Sequence, residues 1–144
     1  LCGLFGSLIR PVGGYVADRQ GGLRILYYVL PVIVGSVVAV TSPSLPMAVA
    51  MMVVATGAMG FGNGVVFQLV AEWFPKDIGL ASGVVGAAGG FGGFLLPVVA
   101  GTMKGFTGTY DLGLWLFAGF GVCAWGTVIV ALRARAASLA GPSS

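Results

Sequence analysis

The sequence has no histidine, only two cysteines and few charges, and each scarcity excludes a class of protein. Lys, Arg, Asp and Glu make up 8% of the 144 residues, whereas about 25% is usual for a soluble domain. Cys2 and Cys123 both lie in apolar runs, so neither a disulfide framework nor a metal site is expected. Without histidine or an acidic pair inside an apolar run, the chain offers no evident acid, base or cofactor ligand. An enzyme is therefore not expected.

Apolar sequence is what the chain has instead. Hydrophobic residues make up 58% of it, and the mean hydropathy is +1.03. Several uncharged runs are long enough to cross the roughly 30 Å hydrocarbon layer as helices. We predict an all-α membrane protein whose transmembrane domain covers residues 1–135 and is followed by a short tail at 136–144. The predicted spans are about 1–17, 23–41, 47–72, 78–103 and 112–132, of which the first is short, as if truncated.

The basic residues predict the orientation in the bilayer. If the loops alternate between the two sides, one side receives only Lys104. The other side receives Arg19, Arg24, Lys76, Arg133 and Arg135. By the positive-inside rule the second side is cytoplasmic, which predicts a multi-pass protein of the inner (cytoplasmic) membrane with a cytoplasmic C-terminus. The net charge of +3 is modest, and no nucleic-acid partner is expected beside the lipid bilayer.

A stripe of glycines marks the fourth span. Gly79, Gly83, Gly86, Gly90, Gly93 and then Pro97 step by four and three, so they lie on one face of a helix. Gly89 and Gly93 form a second pair with the same spacing. A face without side chains lets another helix approach closely. The stripe is typical either of a tightly packed static pair or of an interface that moves.

Arg10 is a charge inside an apolar run. An arginine at the bilayer centre costs on the order of 2.5 kcal/mol or more, and the predicted spans contain no acidic residue to offset it. Gly3, Gly6 and Gly13 share its helix face and leave room for a ligand or a neighbouring helix. Pro11 leaves the carbonyl of Ser7 without its helical donor, so the helix can bend there. We predict that Arg10 binds an anionic substrate; the alternative is that it snorkels to the interface.

Three further side chains are candidates for the same site. Asn63 and Gln68 can each donate to an anion through an amide, although hydrogen bonding between helices would explain either one equally well. They lie five residues apart, so at most one is expected to face the cavity of Arg10. Phe67 could form a wall of a small site, or simply pack.

Three blocks of sequence together resemble a known family. Residues 14–22 resemble the G-x-x-x-D-R-x-G-G loop of the major facilitator superfamily, with Gly14, Asp18, Arg19 and Gly21 in the matching positions. Residues 6–22, 60–76 and 79–97 resemble the nitrate/nitrite porter family. The third block is similar to that family's second glycine-rich signature, and its signature glycines are Gly83, Gly86, Gly89, Gly90, Gly92 and Gly93.

The resemblance implies the C-terminal part, helices eight to twelve, of a twelve-helix carrier that takes nitrate and/or nitrite across the membrane for nitrate assimilation by alternating access. Arg10 then matches the substrate-binding arginine of helix eight, and Asp18 and Arg19 match a loop that steadies one conformation. A second arginine is expected from the N-terminal half, which would be the partner of this chain. Related oxalate-type carriers of the superfamily place a lysine in helix eleven. No lysine occurs between Ile78 and Met103, and this absence argues for a monovalent anion.

Other classes stay open at this point. A facilitator for another small organic or inorganic anion would share the fold. An anion channel or a membrane scaffold could also carry Arg10, but neither would need the superfamily loop. The residues fit nitrate and nitrite equally, and the lack of a protonatable side chain inside the spans favours exchange over proton coupling.

Overall fold

Five α-helices make up the computed structural model, which describes residues 2–41, 44–108 and 110–139. The helices are α1 (Cys2–Gln20), α2 (Gly22–Ala39), α3 (Leu45–Trp73), α4 (Ile78–Thr107) and α5 (Asp111–Leu139). The all-α prediction is confirmed. Because α5 continues to Leu139, the first residues of the predicted tail are helical, and residues 140–144 lie outside the described part of the chain.

The helices end where the sequence supplies glycine or proline. Gly21 and Gly108 have φ values of +87° and +77°, a region that only glycine adopts at little cost. The Gly108 N–H donates to the carbonyl of Lys104 at 2.8 Å and so caps α4. A proline opens the first turn of α3, where the missing N–H has no helical partner to lose.

Membrane spans follow from length and hydropathy. Among the described residues, α2, α3, α4 and α5 are long and apolar enough to cross a bilayer, whereas α1 is not in that set. With 19 residues α1 is longer than the 18-residue α2, so it falls outside this set because of its composition and not its length. The predicted truncation of the first span stays a prediction. Four such helices in one chain indicate a protein that crosses the membrane several times.

The centre of the bundle is α3. It packs against α1 on one side and α2 on another, and α2 in turn packs against α5. The buried core lies where these helices meet; it contains Ala17, Leu23, Ile25, Leu26, Val65, Leu69 and Val128. The fourth helix is peripheral: it contacts α5 and, less extensively, α3, and none of the side chains that the structure describes in its span is buried.

A proline in α2 is compensated by a side chain of α5. Pro31 lies inside α2, and because it has no N–H it cannot donate to the carbonyl four residues earlier, that of Tyr27. The indole Nε1 of Trp125 donates to this same carbonyl at 3.0 Å. The rings of Tyr27 and Trp125 also lie 5.7 Å apart. The bond lost within α2 is thus replaced by one between α2 and α5.

Glycines bring the backbones of α1 and α3 into direct contact. Gly60 packs on the carbonyl of Gly6, and Gly64 packs on the carbonyl of Arg10. Gly13 packs in the same way on the carbonyl of Phe61. A Cβ at any of these three glycines would overlap the facing carbonyl. The glycine-lined face of α1 is therefore occupied by a neighbouring helix along most of its length.

The glycine stripe of α4 is open. No atom lies within 4 Å of the Cβ position at Gly79, Gly83, Gly86, Gly90 or Gly93, and the side chain of Pro97 lies outside the described residues. Within the described part of the chain the stripe has no helix against it. Its role as a contact or sliding face stays a prediction.

Replacing Gly60 by alanine in the full-length protein should separate α1 from α3. We expect a loss of about 1 to 3 kcal/mol in stability, as for other overpacked sites, measured as a lower melting temperature in detergent. Gly35→Ala is the matched control, because nothing lies within 4 Å of its Cβ position and alanine favours a helix. Equal melting temperatures for the two variants would contradict the close contact.

Candidate functional site

Arg10 lies in the middle of α1 with its backbone buried against α3 and its side chain exposed. Among the described residues it forms no ion pair. Its carbonyl is held by Gly64, so the register of the two helices fixes the level at which the guanidinium leaves the bundle. Pro11 follows directly inside the same helix.

The neighbours of Arg10 define the side on which it lies. Ile9 lines an apolar cavity together with Tyr28 and Val29 of α2, so this side chain lies on the α2 side of the contact between α1 and α3. Successive residues of a helix are about 100° apart. Gly6 and Gly13, which face α3, lie between Ile9 and Arg10 around the axis of α1. Arg10 therefore lies on the other side of that contact, which we name the open flank: the side of the α1–α3 pair that faces away from α2.

Phe67 reaches the same open flank from α3. Gly64 faces α1, and Gly62 faces Val29 of α2. Helical spacing puts Phe67 and Gly62 on opposite sides of Gly64 around the axis of α3. Phe67 lies about one turn further along the helix than Gly64. The residue is 37% exposed. Phe67 and Arg10 thus lie at similar depth on one side of two packed helices.

Asn63 lies at the edge of the open flank. It directly precedes Gly64 in the chain and is half-buried. It also lines an apolar cavity that α2, α3 and α5 enclose, in which Leu26, Val66 and Phe120 are among its neighbours. The structure shows this residue at the cavity of α2, α3 and α5, and its donation to an anion at Arg10 stays a prediction.

Gln68 lies elsewhere. Its side chain packs against Gly22 at the start of α2, and its Nε2 donates to Oε2 of Glu72 at 3.4 Å. Its Oε1 is buried and has no hydrogen-bond partner in the described structure. The structure brings Gln68 to the end of the bundle where α1 meets α2, and it does not bring this residue to Arg10.

The superfamily-like loop lies at that same end. The guanidinium of Arg19 stacks over the ring of Tyr15 at 4.5 Å, whereas Asp18 is exposed and has no ion pair among the described residues. Gly14 lies near the carbonyl of Gly64. Gly21 turns the chain from α1 into α2, and its N–H donates to the carbonyl of Ala17 at 2.9 Å.

The six signature glycines, all on α4, lie apart from Arg10. In the described structure no atom lies within 4 Å of their Cβ positions, and α4 makes no contact with α1.

Two site features were missed from the sequence. The glycines at 57, 60 and 64 step by three and four, a visible signal, but the ion pair of Glu72 with Arg135 gave none, because these residues are far apart in the chain.

The fold and this geometry define a class: a segment of a multi-pass helical membrane protein with an exposed arginine on an open flank. Comparison with known proteins finds relatives of this chain. The chain is 36% identical over 108 residues, 74% of its length, to a nitrite extrusion protein of Bacillus subtilis. It is 34% identical over 123 residues, 85% of its length, to a probable nitrate transporter NarT of Staphylococcus haemolyticus. It is 35% identical over 120 residues, 82% of its length, to the corresponding protein of Staphylococcus carnosus.

These relatives confirm the resemblance to the nitrate/nitrite porter family that the sequence motifs predicted. The chain spans only 27 to 32% of the length of these three relatives. No family model matches the chain, and no solved structure matches it.

An exposed arginine inside an apolar segment is stable where it meets water or a counterion, so the open flank should line an aqueous cavity in the full-length protein. In a background without the native cysteines, Phe67→Cys should react with a membrane-impermeant thiol reagent. Ile9→Cys, on the α2 side of the same contact, should react much more slowly. Labelling after denaturation controls for the intrinsic reactivity of each thiol. Equal labelling of both variants in the folded protein would show that the flank does not line water.

Proposed function

We propose that this chain is the C-terminal part of a secondary carrier that moves nitrate and/or nitrite across the cytoplasmic membrane, with Arg10 as its contribution to the anion site. The observation that carries the proposal is the Arg10 guanidinium on the open flank, which forms no ion pair with any residue that the structure describes. The names of the relatives support nitrate or nitrite as the substrate. The chain is proposed to transport its anion unchanged and not to act as an enzyme.

The chemistry of Arg10 suits a small planar oxyanion. A guanidinium presents parallel N–H groups that bond two oxygens of one anion at once, and it keeps its charge at any physiological pH. The amide of Asn63 at the edge of the flank can donate a further hydrogen bond. The ring of Phe67 closes one side against lipid and water. Gln68 points to the other side of α3 and is proposed to act only in packing or in the cytoplasmic network around Glu72.

The open flank needs a second wall. One arginine against one anion at the bilayer centre leaves the anion's other side exposed, and the described helices supply no second cation at this level. The N-terminal half of the same carrier is proposed to provide both the wall and a second arginine. The open glycine stripe of α4 would then face that half and permit the small shifts of alternating access.

The orientation follows from the charged end of the bundle. The ion pair between Glu72 and Arg135 joins the end of α3 to the end of α5, and the turn at Gly21 lies at the same end. Most basic residues of the chain gather there, so this end is proposed to be cytoplasmic. The C-terminus is then cytoplasmic as well.

Transport by the full-length carrier in proteoliposomes tests the proposal. Uptake of nitrate or nitrite should saturate, and internal nitrite should accelerate nitrate uptake if the carrier exchanges the two anions. Acceleration by a proton gradient would instead indicate symport with a proton-carrying group in the N-terminal half. Flux that rises linearly with concentration and shows no exchange would contradict a carrier and favour a channel.

Arg10→Lys should lose most uptake even though it keeps the charge. A lysine ammonium cannot bond two oxygens in parallel, and we expect a loss of roughly 10- to 100-fold in kcat/KM, since a charged hydrogen bond contributes about 1.5 to 3 kcal/mol. Arg133→Lys, at the exposed end of α5, is the control and should transport normally. Full uptake by Arg10→Lys would contradict bidentate binding by this residue.

Asp18→Asn should change the rate of transport more than the affinity for the anion. Asp18 lies in the last turn of α1, two turns beyond Arg10, and is proposed to act on the equilibrium between conformations. We expect a lower maximal rate with a KM close to the original, and anion binding measured at equilibrium serves as the second readout. An equal loss of rate and binding, or no loss of either, would count against this role.

A further inference from the structure

A cavity of about 320 Å³, lined by both charged and apolar residues, lies at the charged end of the bundle, away from Arg10. Its walls come from the turn between α1 and α2 and from the last turns of α5. Arg24 and Arg135 line it together with Gln20, and Leu23 and Leu132 form its apolar side. Volumes of about 300 to 1,000 Å³ are typical of sites for small molecules.

The two arginines differ in their ion-pair partners. One amino group of Arg135, Nη2, donates to Oε1 of Glu72 at 2.9 Å, and both side chains are partly exposed, at 52% and 36%. Arg24 has no ion pair in the part of the chain that the structure describes. Since a guanidinium carries five N–H donors, both residues retain donors that can reach into the cavity.

The charge pattern of α2 and α5 indicates that the cavity lies at the depth of lipid headgroups. Arg24 is in the first turn of α2, and the chain after it is uncharged until the next loop. The uncharged part of α5 ends at Leu132, directly before Arg133 and three residues before Arg135. Both arginines therefore stand at the boundary between an apolar span and the polar end of the bundle, while Leu23 and Leu132 lie on the apolar side of that boundary.

We propose that this cavity binds the phosphodiester headgroup of an anionic glycerophospholipid, with Arg24 and Arg135 as its ligands. A phosphodiester offers two equivalent oxygens to a guanidinium fork, and basic pockets between helices at the cytoplasmic boundary suit such headgroups. The adjoining leucines can contact the glycerol and the first carbons of the acyl chains. This combination of cationic and apolar walls fits a lipid better than a free inorganic anion. The inference does not depend on which anion the carrier transports.

Native mass spectrometry of the full-length protein tests the site. The protein in detergent is titrated with dioleoylphosphatidylglycerol or with dioleoylphosphatidylcholine, which have the same acyl chains and different headgroup charge. We expect one retained phosphatidylglycerol in preference to phosphatidylcholine. Arg24→Gln and Arg135→Gln should each reduce its occupancy about fivefold, the usual effect of one basic residue on anionic lipid binding.

Two further variants isolate the site from general charge. Arg133→Gln removes the same charge from the same helix, but Arg133 does not line the cavity, so occupancy should be unchanged. Glu72→Gln frees the remaining donor of Arg135 and should keep or raise occupancy. If Arg135→Gln unfolds because it breaks the ion pair, Arg24→Gln alone decides, since that side chain has no ion pair to break in the described structure.

Three results would overturn the proposal. Arg133→Gln could reduce lipid binding as much as Arg24→Gln, which would mean attraction to the basic surface as a whole. Arg24→Gln could leave phosphatidylglycerol occupancy unchanged. Excess inorganic phosphate could displace the lipid completely, which would assign the cavity to a soluble anion.

Discussion

The direct backbone contact between α1 and α3 is the constraint on which the site depends. Gly60 and Gly64 of α3 press on the carbonyls of Gly6 and Arg10, so the two helices cannot slide or rotate independently without a clash. Helices in lipid associate through such packing because no water drives them together. The contact holds the backbone of Arg10 in the bundle while its side chain leaves on the open flank. Helix packing thereby fixes the position of Arg10 without an ion pair to any residue that the structure describes.

The glycines of α4 differ from those of α1 and α3 in what packs against them. Its glycines are as regularly spaced as those of α1 and α3, yet in the described structure nothing packs on them. Spacing alone cannot separate the two cases, because it reports which residues share a face and says nothing of what lies opposite. The bundle thus combines one closed glycine interface with one glycine face that is free to receive another helix.

The sequence was sufficient to predict the five helices, because long uncharged runs and glycine or proline turns act locally. It also singled out Arg10, since a charge is conspicuous in an apolar run. The positions of Asn63 and Gln68 depended on tertiary packing: the structure directs Gln68 towards Gly22 and Glu72, and leaves Asn63 at the edge of the flank. The ion pair of Glu72 with Arg135 joins helices that are distant in the sequence, so no local pattern announces it.

Pro31 and Trp125 form a single structural unit although they lie on different helices. The proline leaves the carbonyl of Tyr27 without its donor, and the indole supplies a replacement at 3.0 Å. An unsatisfied carbonyl costs several kcal/mol in lipid, so each residue is useful only in the presence of the other. Substituting Trp125 would leave unsatisfied the carbonyl that Pro31 deprives of its donor, whereas a chain with an ordinary residue at position 31 would have no need of an indole at 125. The two positions should therefore vary together among proteins that share this pair of helices.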